Sequence, residues 1–254
     1  MARIAAGWTG ALVAWALIGF VQAAEAERSA ARAVAESTLA CTVGIRYQAD
    51  SFAHYSGTGF VVSPDGHILT ATSVVPLGGG TIRVTFPGFV VREARIVAVD
   101  PKLAMALIKV DTQGKSLPFL TLSREMPAVG STAYTAGDVE NSLLTNGRAS
   151  FSRGLVSGIY DVPRHPEADY AGIAIETTAA VNPGSDGGPL LDETGRVCGV
   201  ITLGTLPLRW QGTAVPTAVL LERFAPFASG GILPQAAAAG VVPPAPPHPL
   251  QATA

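Results

Sequence analysis

The stretch Asn182-Pro-Gly-Ser-Asp-Gly-Gly-Pro-Leu190 is the most informative part of this chain. It holds three glycines within five residues, and glycine adopts positive φ angles at no steric cost. Such a loop brings backbone amides close to a developing negative charge, as the oxyanion hole of an acyl-transfer enzyme requires. Taken alone, the stretch fits either an oxyanion loop or a plain glycine-rich turn, so the rest of the chain decides between them.

Four further blocks accompany this loop, in a fixed order along the chain. They are Gly57-Thr-Gly-Phe-Val-Val-Ser-Pro-Asp-Gly66 followed by Ile68-Leu-Thr70; Asp100-Pro-Lys102 followed by Ala106-Leu-Ile-Lys-Val110; Ile175-Glu-Thr177 followed by Ala179-Ala-Val-Asn-Pro-Gly184; and Gly212-Thr-Ala-Val-Pro216. Together with the loop, these blocks resemble the HtrA family of trypsin-like serine proteases over about residues 38 to 225. Five blocks in the family's order make a chance likeness very improbable.

Alternating apolar and polar residues with frequent turn signals predict an all-β domain, either a sandwich or a pair of barrels. The resemblance implies the second architecture: two six-stranded antiparallel β-barrels of the trypsin-like, chymotrypsin fold, with a short helix at about 217–227. Pro64-Asp65-Gly66 predicts a hairpin turn. Strands are predicted at 42–47, 59–63, 67–72, 82–86, 104–110, 131–135, 155–160, 172–177, 197–203 and 212–215.

The resemblance also assigns three positions to the catalytic triad of the family. Peptide cleavage of this kind needs a hydroxyl nucleophile, an imidazole base and a carboxylate that orients the imidazole. The histidine position falls on Ser73, the aspartate position on Ala104 and the nucleophile position on Asp186. None of these side chains can perform the role of its position, so we expect no catalytic residue and no peptide cleavage.

Neighbouring residues do not replace the missing triad. Ser185 lies one step from the nucleophile position, where a tight turn directs its side chain elsewhere. The four histidines are expected to be solvated or packed imidazoles, and no His or Cys pair has the spacing of a metal site; they are His54, His67, His165 and His248. We therefore expect neither a metal nor another cofactor.

Asp186 itself has two expected arrangements. In a loop of the family's shape, its carboxylate lies beside the backbone amides of Gly184 and Asp186 and fills the oxyanion hole. Alternatively, the loop has relaxed and the carboxylate points to solvent. Gly184, Ser185 and Asp186 are therefore the remnant of the oxyanion loop in this interpretation.

The composition limits the function classes. The 254 residues are 48% hydrophobic and 14% charged, and the net charge is -2, which leaves no basic surface for nucleic acid. Arg3, an apolar run to Val21 and small residues after it predict a signal peptide at 1–23, with an uncleaved membrane anchor as the alternative. We expect a lead-in segment at 24–38, a protease-homology domain at 39–228 and a disordered Ala/Pro-rich tail at 229–254. Cleavage of the signal would leave a periplasmic or secreted protein without membrane contact.

Cys41 and Cys198 leave two alternatives open. An oxidising compartment allows them to pair in a disulfide. Both also have apolar neighbours in the sequence, where a free cysteine packs as a small hydrophobic residue.

Three functions remain for such a chain. The first is a non-catalytic protease homologue that binds a peptide or protein partner; the resemblance places such a peptide along 202–205, with Arg209 and Trp210 in an adjoining loop. The second is an active serine endopeptidase of the HtrA type with a rearranged site. The third is a structural subunit of an exported complex.

Overall fold

A computed structural model describes residues 5–49, 54–76, 78–166, 168–202 and 211–228, with side chains described between residues 19 and 224 of these ranges. Three helices and twelve strands occur in the described part. The helices are α1 Ala5–Cys41, α2 Ser142–Asn146 and α3 Thr217–Ala228; the strands are β1 Thr42–Gln48, β2 His54–Val61, β3 His67–Ala71, β4 Thr81–Phe86, β5 Val90–Asp100, β6 Met105–Val110, β7 Thr132–Gly137, β8 Ser150–Val162, β9 Gly172–Thr177, β10 Pro189–Leu191, β11 Val197–Thr202 and β12 Gly212–Pro216.

The first six strands close into an antiparallel barrel in the order β1-β2-β3-β6-β5-β4. Inward-facing aliphatic side chains fill this barrel because side chains alternate across each strand; they include Ile45, Val61, Ile68, Val84 and Ile108, all almost completely buried. The predicted turn at Pro64-Asp65-Gly66 joins β2 to β3, with Val61 paired to Ile68. This first barrel, called barrel 1 below, therefore holds the end of β3 at a fixed position.

The last six strands close into a second antiparallel barrel, called barrel 2 below, in the order β10-β11-β12-β9-β8-β7. Its core is a cluster of small and aliphatic side chains that includes Ala133, Ile175, Leu190 and Ala214. Residues 178–188 connect β9 to β10 and contain the glycine-rich loop. The predicted pair of six-stranded antiparallel barrels with a C-terminal helix is confirmed.

All ten predicted strands occur, and two strands were not predicted. β5 has Arg92, Glu93 and Arg95 among its residues and lies half-exposed on barrel 1, so its apolar alternation is weak. β10 has only three residues, which is too short for a periodic pattern. Both strands are fixed by pairing: β5 pairs with its sequence neighbours β4 and β6, and β10 pairs with β7, which is distant in sequence.

The N-terminal part forms one continuous helix. α1 runs through the boundary that we expected near residue 23, and the chain divides into compact units that meet between Ser37 and Thr38. Side chains 19–30 of α1 are exposed, as expected for a lead-in helix. Among the described residues, no helix is both long and apolar enough to cross a membrane. The predicted tail at 229–254 lies outside the described residues.

The two cysteines are free and buried. Cys41 ends α1 directly before barrel 1, whereas Cys198 lies in the core of barrel 2. Burial raises the pKa of Cys41 to about 11 and that of Cys198 to about 12. A disulfide between these cysteines, which the sequence allowed, is not formed in the structure. The raised pKa values keep both thiols in their protonated form, which is unreactive.

Candidate functional site

The glycine-rich loop between β9 and β10 depends on glycine at two positions. Gly184 has φ 95° and Gly187 has φ 81°, a region that other residues rarely adopt. A Cβ at Gly184 would lie 2.5 Å from the carbonyl oxygen of Asp138, and a Cβ at Gly187 would overlap the carbonyl oxygen of Thr58. The loop therefore packs directly against backbone from both barrels.

Thr58, on β2 of barrel 1, holds this loop in place. Its amide donates to the carbonyl oxygen of Asp186 at 2.8 Å, and its hydroxyl donates to the carbonyl oxygen of Gly184 at 2.5 Å. The same hydroxyl accepts a hydrogen bond from the amide of Asp138 at 2.8 Å. Thr58 is fully buried and Gly184 is partly buried, and these bonds connect the two barrels at the loop.

Ser73 and Asp186 meet across the cleft between the barrels. Ser73 lies on the turn after β3, and its hydroxyl donates to carboxylate oxygen Oδ2 of Asp186. Only 8% of Asp186 is exposed, so its carboxylate faces barrel 1 and not solvent. Neither expected arrangement of Asp186 included Ser73 as its partner. The contact could not be read from the sequence, because the two residues are 113 positions apart.

Ala104 lies beside the same turn. Its carbonyl oxygen accepts a hydrogen bond from the amide of Thr72, the residue before Ser73, at 3.0 Å. Ala104 is buried and has φ 54°, in the left-handed region where Asp and Asn are enriched over other non-glycine residues. The structure thus brings together all three positions that the resemblance assigned to a triad: 73, 104 and 186.

Ser185 lies on the other face of the loop. Its hydroxyl oxygen accepts a hydrogen bond from the amide of Asn182 at 3.2 Å. A Cβ at Gly137 of β7 would lie 2.9 Å from this oxygen, which places the hydroxyl against barrel 2. Ser185 is only 3% exposed. Its hydroxyl and the Asp186 carboxylate therefore face opposite barrels.

Comparison with known proteins places the chain in a family. The family model for the trypsin-like peptidase domain matches residues 57–200, which is more than half of the chain. The chain belongs to the trypsin-like peptidase family. The crystal structure of Deg5 superposes on it with a TM-score of 0.65 at 25% identity, covering 80% of this chain and 95% of that one.

Several curated relatives of this trypsin-like peptidase chain are DegP-like or HTRA1 serine proteases. A probable periplasmic serine endoprotease, DegP-like, from Chlamydia trachomatis is 37% identical over 147 residues, which are 58% of this chain and 28% of that protein. Putative serine protease HhoB from Synechocystis is 31% identical over 165 residues, covering 63% and 37%. Serine protease HTRA1A from Danio rerio is 34% identical over 166 residues, covering 62% and 32%. The matched part spans about a third of the length of these relatives.

A trypsin-like peptidase uses a histidine that contacts serine with one ring nitrogen and aspartate with the other. A different Ser-Asp-His group occurs at the β2–β3 turn of this chain. Ser63 Oγ and Asp65 Oδ1 both lie at the same nitrogen of His67, Nδ1, at 2.9 and 3.0 Å. Burial lowers the pKa of His67. This group therefore lacks the geometry of a triad and stabilises the turn.

Asp65 also binds Lys109, whose Nζ donates to Oδ2 at 2.5 Å. Burial raises the pKa of Asp65, but hydrogen bonds from Lys109, Ser63 and His67 outweigh burial and lower it below the usual carboxyl range. Among the other histidines, His54 begins β2, His165 lies between β8 and β9, and His248 is outside the described residues.

The remaining predictions concern a metal and a peptide edge. In the ranges that the structure describes, no group of three or more His, Cys, Asp or Glu is arranged to hold a metal ion. Of the predicted edge at 202–205, only Thr202 is described, at the end of β11. Residues 203–210, which include Arg209 and Trp210, lie outside the described part of the chain.

Sequence reasoning missed two residues of the site. Thr58 stands within the first matching block, but nothing in that block indicates that its side chain reaches the loop 126 residues later. Asp138 follows β7, where a carboxylate ordinarily suggests an exposed turn. Asp138 is in fact buried and accepts a hydrogen bond from the amide of Leu143 at 2.7 Å.

Proposed function

We propose that this chain is an exported, non-catalytic trypsin-like protease homologue that binds a peptide or protein partner in the cleft between its barrels. The contact between Ser73 and Asp186 carries this proposal. It joins a hydroxyl and a carboxylate at the two positions that the resemblance assigns to the imidazole and the nucleophile, which supports the proposal. Export is proposed from the N-terminal sequence pattern and from the periplasmic relatives.

The chemistry at the three positions argues against acyl transfer. A serine hydroxyl at position 73 cannot take a proton near neutral pH as an imidazole does. A methyl group at position 104 cannot orient or stabilise a base. A carboxylate at position 186 brings negative charge to the place where an oxyanion would have to form. Each substitution removes a different element of catalysis, so restoring one position would leave the others missing.

Several contacts around the cleft support this proposal. Thr58 donates one hydrogen bond each to the carbonyl oxygens of Gly184 and Asp186 and accepts one from the amide of Asp138, and the loop glycines have the φ values that close packing requires. Ala104 has left-handed backbone, although alanine gains nothing from it. These features support a cleft that is maintained for binding. Peptide addition to a strand edge uses backbone hydrogen bonds and does not depend on a triad.

A fluorophosphonate probe and a casein cleavage assay test the absence of catalysis. We expect the full wild-type chain to remain unlabelled and inactive. The triple variant Ser73→His, Ala104→Asp, Asp186→Ser should become labelled at position 186, because aspartate suits the backbone at position 104. Its matched control carries Asp186→Ala with the other two changes and should stay unlabelled. Labelling of any serine in the wild type would overturn the proposal, and an unlabelled triple variant would contradict the assignment of the three positions.

A crosslinking pull-down from the native extracytoplasmic fraction tests partner binding. Ser73→Trp fills the cleft beside Asp186, whereas Thr121→Trp adds the same side chain at an exposed position of the segment that connects β6 to β7. We expect the partner to bind the wild type and Thr121→Trp and to be lost from Ser73→Trp. Equal recovery of the same proteins by all three chains would show that the cleft does not bind them.

A further inference from the structure

The open end of barrel 2 contains a cavity behind the glycine-rich loop. Its volume is about 210 Å³. The cavity is lined by residues of β7 and the turn after it, of β8, and of the segment before β10. These residues are Thr135, Gly137, Val139, Ser150, Phe151, Ser152, Ala180, Asn182 and Ser185. We propose that it is a second ligand site, which binds a small uncharged amide group such as a peptide bond or a carboxamide side chain.

The cavity exists because the inward-facing pairs at this end of the barrel are small. Ala133 pairs with Gly154, Thr135 with Ser152, and Gly137 with Ser150. Ala133 belongs to the barrel core, so the alternate positions that follow it along β7 also face inward. Larger residues such as Ile175 and Leu190 belong to the packed core of the barrel, and Leu190 pairs with Thr135, which lines the cavity. Mouths of β-barrels are recurrent places for small-ligand sites.

Two serines at the cavity have hydroxyl protons that are available to a ligand. Ser185 accepts the amide of Asn182 at 3.2 Å, and Ser152 accepts the amide of Ala180 at 2.9 Å. Neither hydroxyl donates to any residue that the structure describes. Ser185 is 3% exposed, and buried polar groups normally find partners. A ligand with a hydrogen-bond acceptor would satisfy both protons.

The surrounding charge selects between ligand classes. No charged side chain is among the described residues that line the cavity, and the carboxylates of Asp138 and Asp186 lie against barrel 1, at Gly44 and at Ser73. An anion would bring acceptors but would lose its hydration without a cation to pair with. A cation would bring only donors and leave the two serine protons unpaired. An amide supplies a carbonyl acceptor without charge, and its N–H can donate to the hydroxyl of Thr135, which itself donates to the carbonyl oxygen of Ala180 at 3.1 Å.

This site does not depend on the function proposed for the cleft. Ser185 and Asp186 direct their side chains to opposite faces of one loop, so each site can be filled or blocked separately. Loss of partner binding at Ser73 would leave amide binding at Ser185 unchanged.

An NMR titration of the isotope-labelled full chain with N-methylacetamide tests the proposal. We expect saturable shifts of the backbone signals of residues 135–137, 150–152 and 180–185. Acetate and methylammonium, of similar size, should leave these signals unchanged at equal concentration. Uniform small shifts across the chain, or equal responses to all three compounds, would overturn the proposal.

Two variants locate the binding. Ser185→Ala removes one donor and should weaken N-methylacetamide binding about fivefold, as expected for one net hydrogen bond of about 1 kcal/mol. Ser150→Trp, at the exposed rim, should abolish binding while the rest of the spectrum stays unchanged. Thr121→Trp should bind as the wild type does. Undiminished binding by Ser150→Trp would place the amide elsewhere and refute the site.

Discussion

Thr58 is a small residue with a large structural role. Its hydroxyl satisfies two buried backbone groups, the carbonyl of Gly184 and the amide of Asp138. Thr58→Val keeps the shape of the side chain but leaves both groups unpaired away from water. Each unpaired buried group costs about 1 to 3 kcal/mol. We expect a loss of about 2 to 4 kcal/mol in the free energy of unfolding, measured by urea denaturation.

Thr58→Ser is the matched control for this prediction. Serine keeps the hydroxyl and loses only a methyl group, so its free energy of unfolding should stay within about 1 kcal/mol of the wild type. Amide hydrogen exchange should quicken in residues 182–188 of Thr58→Val and not of Thr58→Ser. A Val variant as stable as the Ser variant would show that the hydroxyl does not hold the loop.

Asp138 makes stability depend on pH. Burial raises the pKa of its carboxyl, and hydrogen bonds from Leu143 and Ser142 together with the charge of Arg46 oppose this only in part. The folded chain therefore holds the Asp138 proton more tightly than the unfolded chain does. Ionisation at this residue thus costs stability as pH rises from the ordinary carboxyl pKa through the raised one.

Asp138→Asn removes this ionisation and keeps an acceptor for the amide of Leu143. The stability of the variant relative to the wild type should therefore increase as pH rises from about 4, the ordinary carboxyl pKa, into the range above it. Urea denaturation of both proteins across this range measures the difference. Parallel pH profiles would show that Asp138 has an ordinary pKa in the folded protein.

The β2–β3 hairpin shows how one turn fixes a whole element. Gly66 has φ 93°, and a Cβ there would lie 2.8 Å from Thr112 Cγ2 and 2.9 Å from the carbonyl oxygen of Val110. Gly66→Ala should cost about 2 kcal/mol, because it combines left-handed strain with a backbone clash. Gly79→Ala meets nothing within 4 Å and should change stability by less than about 1 kcal/mol.

Denaturant unfolding of the two alanine variants compares these positions directly. The Ser63–Asp65–His67 contacts lie on the same turn, so strain at Gly66 should also disturb the ring environment of His67. Equal stability of both variants would mean that the turn tolerates a side chain and does not set the pairing of β2 with β3.

At the scale of helices and strands, local chemistry predicted most of the elements. Apolar alternation and the Pro64-Asp65-Gly66 turn were sufficient for ten strands, because each signal lies within the strand or turn itself. β5 was missed because its charged residues sit on a half-exposed strand, and β10 because three residues show no period. β5 exists through pairing with the adjacent β4 and β6, and β10 through pairing with the distant β7; the residue pattern of each strand alone does not show these partners.

The whole molecule buries its two thiols at separate places, Cys41 at the end of α1 and Cys198 in the core of barrel 2. Both cysteines are free and buried, and their raised pKa values leave almost no thiolate at neutral pH. Iodoacetamide should therefore leave the native chain unlabelled and should label two thiols per chain in denaturant without a reductant. Mass spectrometry counts the labels. A denatured chain that takes up no label until it is reduced would reveal a Cys41–Cys198 bridge.

The sequence by itself determined an all-β fold class and the residue types at positions 73, 104 and 186, and its five blocks implied the two barrels through their resemblance to the HtrA family. It did so because turn chemistry, side-chain alternation and residue identity are local properties of the chain. Only the tertiary structure decided that Ser73 reaches Asp186, that Thr58 holds Gly184 and that a cavity opens behind Ser185. The Ser73–Asp186 and Thr58–Gly184 contacts join residues more than one hundred positions apart. Their geometry is set by how the two closed barrels pack together, and that packing is a property of the whole chain.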